Sequence, residues 1–337
     1  SIFMFKVNLE DLLKYFKKNL TISPKDRIGI VSFELTLSCI CNCKHCDLGG
    51  QIKGEKQIGP KEYTKLVEKL NPIACQLSGG EPLLRKDLIE IVKAVKIFRT
   101  LPYTILVTNG ALLTEEKYLR LKEAGVDQFS VSLDFPDERH DEFRRFPGLF
   151  RHLNEVLPRL SKHGFHDIVL NSALTKANFK EAPALVKKAK EWGVFISFSA
   201  YTPLRTGDYS LAFTRNDWSQ LDFVFKELLK MKKEKDCPII NSKNILSKFF
   251  KFLKTGYMPN CQAGKKFVVV MPDGSLVPCS MQRKKFKNLR ELREQFSKFN
   301  KCGGCYVAIR NHSESSFFDF IEDLPRYLSL HFLGFGS

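Results

Sequence analysis

The stretch Phe33-Glu-Leu-Thr-Leu-Ser-Cys39-Ile-Cys41-Asn-Cys43-Lys-His45-Cys46 decides how the chain is read. Its first half belongs to a β-rich run, Gly29–Leu37. Cys39, Cys43 and Cys46 follow directly as C-x3-C-x2-C, with Cys41 inside the loop. A tight loop brings three soft thiolates to one point, and three ligands leave one iron of a four-iron cluster without a protein donor. Taken alone, the triplet also suits zinc, with His45 as a fourth donor.

Outward from this loop the pattern is regular. Strand-like runs at Ile73–Leu77, Tyr103–Thr108, Gln128–Leu133, Asp167–Ala173 and Val194–Ala200 alternate with helical stretches at Lys61–Leu70, Arg85–Phe98, Glu115–Ala124, Leu149–Lys162 and Phe179–Trp192. Gly125, Gly164 and Gly193 each stand between a helix and a strand, where a left-handed cap is required. Six such units predict a parallel sheet, because right-handed crossovers lay the helices on one face. A curled, open barrel of this kind carries its working residues at the strands' C-terminal ends.

The 337 residues fit one large α/β domain with an appendage, or two domains. With 43 % apolar and 27 % charged residues the chain reads as folded rather than disordered. A net charge of +17 favours anionic partners. The excess sits mainly in residues 226–254, nine basic against three acidic, and 283–301, eight against two. These stretches read as solvated helix faces or as a basic rim facing the substrate. No run of apolar residues is long enough to span a bilayer, and no secretory signal is evident, so a cytoplasmic, reducing setting is expected. Ten cysteines in that setting point to metal before disulfides.

Further motifs follow in register with the strands. Leu77-Ser-Gly-Gly-Glu-Pro82 ends the second strand, Val107-Thr-Asn-Gly110 the third and Val131-Ser-Leu-Asp134 the fourth. His140-Asp-Glu-Phe-Arg144, then Pro147-Gly148, opens the next helix. Together with Cys39, Cys43 and Cys46 this order resembles the radical S-adenosylmethionine (SAM) superfamily over roughly residues 29–200. The resemblance implies a [4Fe–4S] cluster on those three cysteines, whose open iron SAM chelates. It also implies reductive cleavage to methionine and a 5′-deoxyadenosyl radical that abstracts hydrogen from a substrate C–H. Gly79 and Gly80 are then expected to let backbone approach the methionine moiety, with Glu81 near the amino group. Asn109 and Ser132 are expected beside the ribose or methionine, and Arg144 at the SAM carboxylate. Cys41, Cys75 and Cys237 read as loop or buried thiols.

A second group, Cys261, Cys279, Cys302 and Cys305, follows a hairpin signal at Met271-Pro-Asp-Gly-Ser275. It resembles the twitch module, a shortened SPASM domain, and implies one auxiliary [4Fe–4S] cluster saturated by four thiolates; a four-cysteine zinc ribbon is the competing reading. The fold class expected is therefore a partial (β/α)6 parallel barrel followed by a small cysteine-rich α+β auxiliary domain. Its divisions are an N-terminal helical segment (1–28), the barrel (29–205), a basic helical connector (206–257), the auxiliary domain (258–310) and an apolar tail (311–337).

The tail concentrates Phe317, Phe318, Phe320, Ile321, Leu324, Tyr327, Leu328, Leu330, Phe332, Leu333 and Phe335, with Arg326 its single Lys or Arg. It reads as a closing helix or as a peripheral membrane segment. Residues 1–28 are too few for a leader-peptide-binding domain, which weighs against a ribosomal-peptide substrate. The expected activity is oxidation of an anionic small-molecule or lipid-like substrate, with a one-electron reductant such as flavodoxin or ferredoxin. Carbon–carbon or carbon–sulfur bond formation on a peptide or lipid is the alternative within the family, and a zinc-stabilised nucleic-acid-binding protein the alternative outside it. Tyr201, Asn171 and Arg205 are candidates for substrate specificity.

Overall fold

The computed structural model describes residues 8–23 and 26–314; the apolar run from Phe317 to Phe335 lies outside them. Asn8 caps α1 (Leu9–Thr21), its side-chain oxygen accepting from the N–H groups of Glu10 and Asp11. Then strands and helices alternate: β1 (Ile30–Thr36), α2 (Pro60–Leu70), β2 (Ala74–Gly79), α3 (Leu88–Val95), β3 (Tyr103–Thr108), α4 (Glu115–Ala124) and β4 (Gln128–Ser132). Two helices, α5 (Arg139–Arg144) and α6 (Leu149–Ser161), lead to β5 (Ile168–Leu174), α7 (Ala182–Glu191) and β6 (Phe195–Ala200). Gly125, Gly164 and Gly193 all take positive φ, as the caps between helix and strand require.

The six strands pair in parallel, and the sheet stays open. It does not end with them. After α8 (Trp218–Met231) and α9 (Lys243–Thr255), β7 (Phe267–Val270) inserts parallel to β1, and β8 (Leu276–Val277) returns antiparallel to it. The sheet therefore has eight strands in the order β6-β5-β4-β3-β2-β1-β7-β8. Read as turn-rich, this region in fact carries the run Phe267-Val-Val-Val270, buried throughout, which suits a strand covered on both faces. The expected hairpin follows it, with Met271 N–H donating to Ser275 O at 2.9 Å.

Alternation along the strands separates two environments. Phe33, Leu35, Leu77, Phe129 and Val131 join the apolar core with the helices, where Phe33 meets the α2 ring of Tyr63 edge-on at 5.3 Å. The opposite, concave face carries Glu34, Ser78, Ser132, Asn171, Ser197 and Ser199, registered strand against strand. After α10 (Leu289–Leu292), α11 (Ala308–Glu314) packs on β1, β6 and β7, so it crosses the concave side of the open sheet. Among the described residues no helix is long and apolar enough to cross a membrane.

One cation ties the C-terminal end of β1 to its surroundings. Arg85 donates to Leu35 O (2.8 Å), Ile58 O (3.0 Å) and the Asp87 carboxylate (2.8 Å). Its side chain is 5 % exposed, so truncation leaves buried acceptors without a donor. Arg85→Ala is expected to cost about 3 kcal/mol, read as a lowered urea midpoint with unchanged slope.

Candidate active site

Strand β1 delivers the cysteine loop, and β2 holds it. Gly80 N–H donates to Thr36 O at 2.7 Å and Glu81 N–H to Ser38 O at 2.9 Å. A β-carbon on Gly79 would lie 2.2 Å from Thr36 O, and one on Gly80 2.1 Å from Ser38 O. Both positions therefore need glycine for contact with this chain's own backbone. Expected to admit a ligand, these bare Cα atoms first admit the cysteine loop. Gly79 also has φ +122°, outside the range of most side chains. From beyond the loop, Glu55 accepts from Leu37 N–H (2.6 Å) and Thr36 Oγ1 (2.5 Å). Asn42 and Lys44 N–H donate to Arg144 O and Phe143 O at the end of α5.

Within the loop Cys39, Cys41 and Cys43 are buried and Cys46 is half-buried. The Cys41 thiol, read from sequence as a loop group rather than a ligand, neighbours both Cys39 and Cys43. That contact, opposed by burial and assisted by Arg144, draws Cys43 down to about 6, while burial pushes Cys46 up. Three N–H donors aim at sulfur: Asn109 Nδ2 at Cys39 Sγ (3.8 Å), an Arg144 Nη at Cys43 Sγ (3.7 Å) and Leu48 N–H at Cys46 Sγ (3.4 Å). Among the described residues no three His, Cys, Asp or Glu side chains close around a single ion.

The Arg144 guanidinium is aimed by Asp134, which sequence analysis quoted in a motif without giving it a role. Arg144 Nε donates to Asp134 Oδ2 at 2.7 Å, and its Nη2 stands 2.6 Å from the same oxygen. Burial pushes the Asp134 carboxyl up, but the Arg144 guanidinium beside it holds it below the usual range. Expected at a ligand carboxylate, Arg144 here serves this buried acid and the Cys43 sulfur. Burial, then Arg144, lowers His45 to about 4 and His140 to about 3. His45 stacks on Phe143 with centroids 4.9 Å apart. His140 Nδ1 accepts from Asp134 N–H at 3.2 Å.

Glu81 is sealed. Its carboxylate accepts from Thr108 Oγ1 (2.7 Å), Leu83 N–H (3.0 Å) and Asn109 N–H (2.8 Å), clamping the ends of β2 and β3 together. Asn109 closes its own turn through Oδ1, which accepts from Ala111 N–H, and so presents Nδ2 to Cys39. Ser132 ends β4 on the concave face beside Asn171, whose Oδ1 accepts from Ser199 Oγ at 3.3 Å. Tyr201 is occupied locally by Thr206 and Asp208 O. Glu34, unremarked in the sequence, is 3 % exposed on this face, and its Oε2 has no hydrogen-bond partner.

Arg205 forms an ion pair with Asp47, the residue after Cys46, and Arg283 reaches the other Asp47 oxygen at 3.4 Å. Arg205 meets Asp47 through Nη2, while its Nε–H is buried without an acceptor. The second thiol group is also assembled: Cys261 and Cys279 share an apolar cluster with Cys302, and Cys305 adjoins them. Burial, then the neighbouring thiols, pushes Cys279 up to about 12 and Cys305 up to about 11.

Residues 33–189 match the family model of the radical SAM superfamily. The chain carries a radical SAM domain. This decides for SAM chemistry over a zinc-stabilised nucleic-acid-binding protein. The AdoMet-dependent heme synthase of Methanosarcina barkeri is 26 % identical over 348 residues, covering 88 % of this chain and 95 % of the relative. A probable GTP 3′,8-cyclase of Pyrococcus abyssi is 33 % identical over 153 residues, 42 % of this chain and 46 % of the cyclase. The Fe-coproporphyrin III synthase of M. barkeri is 29 % identical over 171 residues, 50 % of this chain and 42 % of the synthase. The chain thus spans about half of these latter two. In structure, Streptococcus suis SuiB bound to S-adenosylmethionine superposes with a TM-score of 0.59 at 15 % identity, covering 94 % of this chain and 70 % of SuiB. For anSMEcpe with bound AdoMet the TM-score is 0.58 at 18 % identity, with 90 % and 98 % covered. Both likenesses show the shared fold. A radical SAM domain binds SAM and a [4Fe–4S] cluster, and a loop of soft thiols with N–H donors trained on the sulfurs of Cys39, Cys43 and Cys46 fits that group.

His140 gives the site a pH signature. Its folded value of about 3 lies below the ordinary 6.5, so the unfolded chain binds a proton that the folded one refuses. The stability at stake is full above pH 6.5 and drains as the pH falls towards 3. Between pH 7 and pH 5 the wild type is expected to lose about 2 kcal/mol more than His140→Gln, measured by urea unfolding at both pH values.

Proposed function

We propose that this chain is a radical SAM oxidoreductase that removes a hydrogen atom and then an electron from a carboxylate-bearing substrate of iron-porphyrin type. The observation that carries the reading is the convergence of Arg205 and Arg283 on Asp47, beside Cys46. Two guanidinium groups share one carboxylate there, and the buried Nε–H of Arg205 has no acceptor. Such a place takes a substrate carboxylate well. The net charge of +17 draws polyanions towards it. The heme synthase relative adds support, because its similarity runs through nearly the whole of both chains, whereas the cyclase similarity covers about half.

When bound, SAM and its cluster on Cys39, Cys43 and Cys46 supply a 5′-deoxyadenosyl radical, and an auxiliary [4Fe–4S] cluster on Cys261, Cys279, Cys302 and Cys305 supplies an electron acceptor. The substrate balance is simple. A propionate side chain that gives up one hydrogen atom from the carbon next to the ring, and one electron, releases carbon dioxide and becomes a vinyl group. The chain's own residues position the parts. Asn109 and Arg144 direct N–H groups at Cys39 and Cys43, and Asp134 holds Arg144 in that pose. Gly79, Gly80 and Glu81 fix the loop against β2 and β3, while Ser132 and Asn171 offer polar contacts on the concave face for SAM or substrate. A one-electron donor of flavodoxin or ferredoxin type completes the cycle.

Anaerobically reconstituted protein given dithionite, SAM and iron-coproporphyrin III is expected to release 5′-deoxyadenosine together with porphyrins that have lost carbon dioxide. Unchanged porphyrin, with no rise in 5′-deoxyadenosine over a porphyrin-free control, would remove the substrate assignment. Arg205→Met and Arg283→Met should each raise KM about tenfold while leaving kcat nearly unchanged. Cys279→Ala should halve the iron content, roughly, and spare SAM cleavage while abolishing the decarboxylated product.

A further inference from the structure

Helix α1 presents the wrong face to its own protein. Leu9, Leu13, Phe16 and Leu20 recur at intervals of four, three and four residues and form one apolar stripe. All four point to solvent, with 72 %, 61 %, 58 % and 84 % of their surface exposed. The helix docks instead through polar groups on the other side. Asp11 is buried, and its carboxylate accepts from Thr100 N–H (2.7 Å) and Thr100 Oγ1 (2.6 Å). Asn8 N–H donates back to Thr100 Oγ1 at 3.1 Å, Tyr15 is buried, and Lys18 lies over the Phe98 ring. These bonds fix the rotation of the helix about its axis and hold the stripe outward.

Four large apolar side chains held in water are unfavourable unless something covers them. The charges nearby say what. Lys14 and Lys17 flank the stripe on exposed positions, and Glu10 is taken up by Lys14 at 2.6 Å. Beyond the C-terminal end of the helix, Lys69 lines a shallow recess with Ile22, Asn288 and the ion pair of Arg290 with Asp26 (3.1 Å), so Lys69 is the cation left over there. A second copy of this chain would set these cations against their own kind. An apolar, negatively charged partner satisfies both features.

We propose that α1 is an interfacial anchor that seats the protein on an anionic lipid bilayer. The helix lies in the plane of the interface, with Leu9, Leu13, Phe16 and Leu20 among the acyl chains and the lysines at the phosphate level. This does not depend on the identity of the substrate.

Co-sedimentation of the full chain with phosphatidylcholine vesicles, with or without phosphatidylglycerol, tests it. Binding is expected to the phosphatidylglycerol vesicles, to weaken in high salt, and to be slight for phosphatidylcholine alone. The double variant Leu13→Glu, Phe16→Glu should bind about tenfold more weakly with an unchanged melting temperature. Leu9→Ser, Leu20→Ser, which adds no negative charge, should weaken binding in the same direction. Failure of the wild type to sediment would overturn the proposal, whether the chain then proves monomeric or dimeric by light scattering. Equal binding by both double variants would overturn it too, by assigning the contact to another surface.

Discussion

The carbonyl oxygens of Thr36 and Ser38 occupy the space in which a β-carbon on Gly79 or Gly80 would have to sit. This close approach joins the end of β1 to the end of β2 and sets the path of the loop that carries four thiols. Everything else at the site is referenced to it. Glu81 leaves the same turn and is spent entirely on Thr108, Leu83 and Asn109, so the ends of β2 and β3 are locked together. Asn109, positioned by that lock, turns its amide towards Cys39. A soft ligand loop would wander without such a frame, and the frame is made almost wholly of backbone and enclosed carboxylate.

Electrostatics works by burial at this site. Asp134 and Arg144 are both taken out of water, and each is there only because the other is. Their pairing leaves the guanidinium with one remaining direction, towards Cys43. His45 and His140 stay neutral in the same enclosure chiefly because burial disfavours their charged forms, with Arg144 adding to the cost of a second cation. The result is a guanidinium fixed by its carboxylate partner and facing the Cys43 sulfur, with two neutral imidazoles beside it.

Much of this was legible in the sequence because it is local. The strand ends, the cysteine spacing, the Gly79-Gly80-Glu81 turn and Asn109-Gly110 are short motifs whose geometry is set within a few residues. What was not legible depends on pairings across the chain. Nothing in Phe267-Val-Val-Val270 announces that it will lie beside β1 rather than form a separate module, since its partner is over two hundred residues away in sequence. Cys41 stands outside the C-x3-C-x2-C spacing, and its place beside Cys39 and Cys43 shows only in the folded loop. Arg144 matched a familiar place in the chain, yet its partner Asp134 becomes visible only when β4 and α5 are seen to fold over each other. The outward stripe of α1 was hidden for the opposite reason: helical periodicity predicts an apolar face, and the usual assumption turns that face inward.

Insertion of β7 also explains why the two cysteine groups belong to one architecture. Parallel pairing with β1 places the cysteine-rich region against the strand that delivers the first thiols, and α11 then reaches from β7 to β6 across the concave face. Arg310 reinforces the arrangement, donating to Cys305 O, Met258 O and Pro259 O from a fully buried position. Arg283, beyond Cys279, can meet Asp47 beside Cys46 because this strand pairing brings the two segments side by side. A carboxylate from outside that displaced Asp47 would therefore touch the barrel through Arg205 and the cysteine-rich region through Arg283 at once. Recognition of such an anion and registration of the two thiol groups would then be the same contact.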